Sequence, residues 1–335
     1  MRQKKVKMTS HFEPLILSPA KILAESSSSG FGISYWSSLL NCGMKQKLRQ
    51  EHPGVTLLNT PGEKINMMHV GVFFHKLREL WRLGLLLPEE NGSFHEDKVI
   101  IEWGDFTEPD EWKEALRLFR FYISQFERSE WTTVSCEELF EFGCRECAKL
   151  LPCSSDGLAR GDTAYVLWPE NVPICSLAMS CIQTFGVPCI SGRYDEVAHI
   201  DEVQKEALIS KRMLPLFDSG IYIVDAKTSG QRWGNIDKQY EHSQQFTLYQ
   251  MAWSLKNPDR PAQGMIADGL WAYKKEPRTE SFLIRNTKHK EAVLKSFLSK
   301  CWRNFLQNGY ETNPARCNDY GQSCIWEERG LCDKL

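Results

Sequence analysis

The sequence predicts an α/β fold in which one central mixed sheet is flanked by helices, and three observations predict it. Short apolar segments of strand length recur through the second half of the chain, with turn residues between them. Longer stretches carrying apolar residues at helical spacing stand before and among those segments. The 335 residues are 42% hydrophobic and 25% charged, enough to bury a sizeable core without disulfides, and they contain no internal repeat.

Taken in order, residues 1–30 end in Glu25-Ser26-Ser27-Ser28-Ser29-Gly30, a composition that suits a flexible arm. Residues 31–335 then read as a single domain. Ser34 can cap a helix that carries Tyr35, Leu39 and Leu40 and reaches Cys42, followed by Lys45, Lys47 and Arg49 on a solvated face. A longer helix is expected from about Glu63 to Leu87, with its apolar stripe at Met68, Val72, Leu77, Leu80 and Leu83, ended by Pro88 and Asn91-Gly92. Residues 110–127 predict another helix, within a stretch from about 89 to 160 that reads as an insertion.

The strand-like segments are Ala164–Trp168, Val187–Ile190, Tyr194–Ala198, Ile221–Ala226, Met265–Tyr273 and Phe282–Arg285. Helices expected at Asp237–Leu255 and Lys288–Leu306 flank the later strands.

Composition narrows the function classes. A net charge of -2 argues against a histone-like basic coat, while a local basic groove stays compatible with it. The basic N-terminus lacks a signal-like apolar run, being interrupted at Pro14, Ser18 and Pro19, and no stretch approaches a membrane span. A cytoplasmic location is expected, in which the twelve cysteines are reduced thiols, some of them metal ligands.

The sharpest chemical feature is Asp225-Ala226-Lys227, closing the run Ile221-Tyr222-Ile223-Val224. Residues two apart on a strand share a face, so a carboxylate that binds a cation and an ammonium that positions water or offsets phosphate charge can address one site. Taken alone, the tripeptide suits a solvated strand edge equally well. Asp195, in Ser191-Gly192-Arg193-Tyr194-Asp195, places a second acid at the start of another strand, where Gly192 allows a turn or close backbone approach. Two such carboxylates can form an oxygen-rich site for Mg²⁺ or Mn²⁺, although Asp195 also fits a turn or capping role.

His75 follows Gly71 by one helical turn, so a helix thinned at Gly71 can approach the sheet while the imidazole points the same way. Gln245 and Tyr249 lie at i and i+4 of a predicted helix, on one face, as a polar stripe or as groups that orient a phosphate, a base or the lysine.

The order of these signals, Ser34 with Cys42, Gly71 with His75, Gly192 with Asp195, Asp225 with Lys227, and Gln245 with Tyr249, resembles the RecB-like branch of the PD-(D/E)XK nuclease superfamily. That group includes helicase-linked recombination nucleases, CRISPR-adaptation exonucleases and many phage exonucleases. The resemblance covers about residues 33–332 and implies a restriction-endonuclease-like core. It implies metal ligands at His75, Asp195, Asp225 and the Ala226 carbonyl, a catalytic lysine at Lys227, and an accessory motif at Gln245 and Tyr249. Asp225 stands where many members carry Glu.

Cys317, Cys324 and Cys332 cluster at 313–335, and Cys42 stands near the start of the fold. Four thiolates can hold a [4Fe–4S] cluster or a zinc ion. By the resemblance, one N-terminal and three C-terminal cysteines clasp the chain ends around a [4Fe–4S] cluster, although intervals of six and seven residues are wider than those of the best-known members. A rival set, Cys136, Cys144, Cys147 and Cys153, suits a small zinc site or ordinary apolar packing, and Cys175, Cys181, Cys189 and Cys301 read as core residues.

The expected activity is a metal-dependent exonuclease acting on DNA ends in recombination or repair, beside a helicase or a single-strand annealing protein. An endonuclease of the same fold and a non-catalytic DNA-binding or assembly module are the alternatives. Lys45, Lys47, Arg49, Arg193, Lys211, Arg212, Arg232 and Trp233 are candidate DNA contacts that a solvated surface explains equally well.

Overall fold

Alternation along the segment that ends in Asp225-Ala226-Lys227 sorts its side chains to two faces, and each face carries its own helices. The computed structural model describes residues 15–18, 22, 47–48, 65, 67–86, 99–101, 109–142, 190–212, 214–216, 218–229, 236–272 and 276–308. In chain order these form β1 (Leu15–Leu17), α1 (Met67–Arg82), β2 (Val99–Ile101), α2 (Pro109–Gln125), a 3-10 turn (Arg128–Glu130), β3 (Thr132–Phe142), β4 (Ile190–Ile200) and α3 (Glu202–Arg212). There follow β5 (Gly220–Ser229), α4 (Ile236–Glu241), α5 (Gln244–Lys256), β6 (Ala262–Trp271), β7 (Arg278–Ile284) and α6 (Lys288–Asn308).

Five strands form one sheet in the order β3-β4-β5-β6-β7, and β1 pairs with β2 in a small parallel ribbon. The β5–β6 pair is parallel and the other pairs of the sheet are antiparallel. The sheet is therefore mixed, with helices on both faces, as the sequence predicts. Ile221 and Ile223 pack with Phe246 and Leu248 of α5 and with Leu294 and Leu298 of α6. Tyr222 and Val224 face Leu208 of α3, while Ala226 joins the apolar residues of α1 and α2.

The buried stripe of α1 is Val70, Phe73, Phe74, Leu77, Leu80 and Trp81. Of the stripe expected from sequence Leu77 and Leu80 are buried, while the bulky aromatic rings take the rest of the core and leave Met68 and Leu83 about half exposed. The helix also ends earlier than Pro88. The N–H of Gly84 bonds Trp81 O at 3.0 Å and that of Leu85 bonds Leu80 O at 2.9 Å, a Schellman closure that needs the left-handed φ of +75° at Gly84.

The single helix expected over Asp237–Leu255 is two, since Ser243 stands between α4 and α5 and its hydroxyl accepts the Phe246 N–H. Residues 109–142, expected within an insertion, supply α2, packed on α1, and β3, an edge strand of the sheet. No helix among the described residues is long and apolar enough to cross a membrane. The expected strand Ala164–Trp168, Cys42, Cys317, Cys324 and Cys332, the rival cysteines Cys144, Cys147 and Cys153, and the core assignments of Cys175, Cys181 and Cys189 lie outside the described residues.

Candidate active site

Between β4 and β5 the ladder pairs Glu196 with Val224 and goes no further toward Asp195. On the other side of β4, Cys136 pairs with Glu196 and Glu138 with Tyr194, leaving Glu137 and Asp195 opposite each other without a ladder pairing. Asp195 therefore stands in mid-strand, not at a strand start, where β4 is released from both neighbours. Its carboxylate takes over the backbone role: Oδ2 accepts the Ala226 N–H at 3.1 Å and lies 3.1 Å from His75 Nδ1.

His75 reaches this point from α1, which approaches β5 where Gly71 faces Thr228. A methyl group at Gly71 would meet Thr228 Oγ1 at 2.9 Å, so the missing side chain sets the distance between helix and strand. Glu137 completes a group of three with His75 and Asp195, whose ligand atoms all lie within 4.8 Å of one another. Glu137 has a φ of 51°, the one positive value at a non-glycine among the described residues, a conformation that costs about 1–2 kcal/mol. Nothing in the sequence marked it, because both its backbone and its neighbours are set by long-range pairing with β4.

Asp225 and Lys227 share the α5 face of β5. Asp225 is fully buried, and Lys227 Nζ lies 2.9 Å from its Oδ1 and 2.8 Å from its Oδ2. The structure thus ties Asp225 to Lys227, while the three-residue group is made by His75, Glu137 and Asp195. Gln245 Nε2 donates to Tyr249 Oη at 2.8 Å. The Tyr249 ring covers Gly192, where a Cβ would stand 2.2 Å from Phe140 Cζ and 2.9 Å from Tyr249 Cε1. Gly192 therefore serves close approach within β4 and makes no turn.

Charges in this pocket act on each other strongly. Burial pushes the Asp225 carboxyl up to about 6, with the Asp195 charge adding to it. Burial likewise lifts Glu137 to about 7, again helped by Asp195. Burial opposes ionisation of Asp195 too, yet His75, Lys227 and Arg78 outweigh it and hold that carboxyl well below the usual range. Burial disfavours the Lys227 ammonium, but Asp225 and Asp195 keep it charged far above neutral pH. Burial and the charges of neighbouring groups thus push these carboxyls apart in opposite directions.

One further expectation changes. Arg212, a candidate DNA contact, is buried: it pairs with Glu130 and, at 3.0 Å, with Asp268, and its guanidinium lies 3.6 Å from the centroid of Phe126. Arg193 approaches Glu137 at 3.5 Å. Cys136 lies on β3, and burial pushes its thiol up to about 12, which disfavours a thiolate ligand. Cys301 is a buried residue of α6, as expected.

No family model matches the chain, and no curated protein matches it. Among solved structures the chain is similar to one described as SSO0001, at 16% identity over 43% of this chain and 52% of that one, with a TM-score of 0.23. The chain spans about half the length of that relative. The fold and the site together define an α/β protein with a His–carboxylate–lysine cluster on a mixed sheet.

Proposed function

We propose that the chain is a metal-dependent DNA nuclease with a PD-(D/E)XK core of the RecB-like kind, acting as an exonuclease on DNA ends in recombination or repair. The observation that carries this reading is the Asp195 carboxylate, which meets His75 and the Ala226 N–H at 3.1 Å each and acts electrostatically on Asp225 and Lys227. Three segments separated widely in sequence, at His75, Asp195 and 225–227, come to one break in the sheet.

The donor set fits a hard divalent cation. His75, Glu137 and Asp195 already bring one imidazole and two carboxylates within 4.8 Å, and carboxylate oxygens are the donors that suit Mg²⁺ or Mn²⁺. These three residues would hold the ion, with Asp225 and the Ala226 carbonyl contributing as the family pattern implies. The chemistry such an ion supplies is a lowered water pKa and neutralised charge on phosphate oxygens.

The protein's own residues then have distinct tasks. Lys227 remains an ammonium and donates to the attacking water or to a phosphate oxygen, for which it must exchange one of its contacts with Asp225. Asp195 keeps its charge throughout and orients His75. Tyr249, its hydroxyl held protonated up to about 12 by burial, and Gln245 are donors on the same face as Lys227 and orient the substrate strand. A helicase or a single-strand annealing protein would present the ends.

Digestion of end-labelled linear DNA and closed circular DNA, with and without Mg²⁺ or Mn²⁺, tests the proposal. Metal-dependent loss of linear DNA with the circle intact supports an exonuclease. Cutting of the circle moves the activity to an endonuclease, and survival of both substrates with folded protein moves it to a non-catalytic binding module.

A further inference from the structure

His75, Arg78 and Arg82 fall at i, i+3 and i+7 of α1, which is one face of the helix. His75 meets Asp195, whereas Arg78 and Arg82 both turn to Glu196, the next residue of β4. This stripe runs from the metal-ligand group to an open cleft of about 580 Å³ between the end of α1 and the start of β3. Seven residues of helix place the two about 10 Å apart along the axis.

The cleft is lined by Arg82, Arg128, Ser129, Trp131, Thr133 and Ser135, among others. Arg82 is buried, and its Nη2 has no hydrogen-bond partner among the described residues. Its one carboxylate neighbour is already engaged: Glu196 accepts from Arg78 at 2.5 Å and from Trp131 and Thr133 at 2.7 Å each, and lies 3.4 Å from Arg82 Nε. Arg128 is exposed. Its Nε donates to Arg82 O at 3.3 Å, which aligns the guanidinium over Gly84, where any Cβ would stand 2.6 Å from Arg128 Nη2. The terminal nitrogens of Arg128 make no hydrogen bond to another described residue, so the exposed Arg128 guanidinium, the Thr132 hydroxyl and the backbone of an edge strand converge on one space, with the Arg82 charge buried behind them.

We propose that this cleft is a phosphate-binding subsite that seats the sugar–phosphate backbone of a nucleic-acid strand away from the bond being cut. The inference rests on the nuclease reading for its ligand. A guanidinium fork, a hydroxyl and edge-strand backbone N–H groups are donors that bind phosphodiester oxygens, and they do so without reading sequence. Contact at this distance from the metal-ligand group fixes the direction in which a strand enters.

The test is equilibrium binding of a fluorescent oligonucleotide over a range of salt concentrations, with Ca²⁺ replacing Mg²⁺. Arg128→Glu and Arg128→Lys are compared with Arg260→Glu, which makes the same charge change in the turn between α5 and β6. Arg128→Glu should weaken binding on the order of 10-fold and lower the salt slope by about one. Arg128→Lys, which keeps the charge, should bind within about 3-fold of wild type.

Equal affinities for Arg128→Glu and Arg260→Glu would overturn the subsite, as would an Arg128→Lys protein as weak as Arg128→Glu. Cleaving protein with Arg128-independent binding removes the subsite and leaves the nuclease. Arg128-dependent binding by protein that never cleaves removes the nuclease and leaves the subsite.

Discussion

His75 Nδ1 and Asp195 Oδ2 stand 3.1 Å apart, across the junction of a helix and a released stretch of strand, and each sets the other's charge. Burial disfavours the imidazolium, but Asp195 outweighs it and holds the His75 pKa above its ordinary 6.5. In the metal-free protein Asp195→Asn should therefore lower the His75 pKa, because the charge and hydrogen bond that chiefly oppose burial are removed; histidine NMR titration reads this directly. The sign follows by linkage. A raised histidine stabilises the fold below its unfolded pKa and loses that contribution as pH rises through the folded value. Wild type should lose stability relative to His75→Ala over that window, and an unchanged His75 titration in Asp195→Asn would contradict the pairing.

Glu196 is the polar centre of the α1 face, with Arg78, Trp131 and Thr133 all bonded to one buried carboxylate. Removing one partner of such a group leaves buried charge uncompensated. Glu196→Ala should cost about 3–5 kcal/mol in urea unfolding. A loss below about 1 kcal/mol would show that the arginines find water instead.

Gly192→Ala should cost about 1–3 kcal/mol, since Phe140 Cζ stands 2.2 Å from where the methyl would go. The displaced rings include Tyr249, so activity should fall more than stability alone explains. Thermal melts and cleavage rates on the same protein separate the two effects.

Much of this architecture is legible in the sequence because it is periodic. The apolar run Ile221–Val224 reads as a strand, and Lys288–Leu306 reads as a helix. Asp225 with Lys227 and Gln245 with Tyr249 also follow from spacing on a strand and on a helix. What the sequence hides depends on contacts between distant elements. Glu137 enters the site through an antiparallel partner more than fifty residues away and a left-handed backbone that no local signal announces. Arg212, beside Lys211 at a helix end, reads as solvated, yet Glu130 and Asp268 draw it into the core. The ends of the α1 stripe are hidden for a similar reason, since apolar residues surround the helix and the packing of Phe73, Phe74 and Trp81 selects the buried side.

The most direct measurement is single-turnover cleavage of linear DNA in Mg²⁺ by wild type and by Lys227→Ala, with thermal melts confirming that both are folded. Lys227 is the ammonium partner of buried Asp225 and lies 5.9 Å from the centroid of the Phe246 ring, so the melts separate any loss of stability from a loss of chemistry. The account predicts metal-dependent cleavage by wild type and a loss of at least ~100-fold in the variant, the scale of removing one donor from a developing phosphate charge. Cleavage at equal rates by both proteins would contradict it.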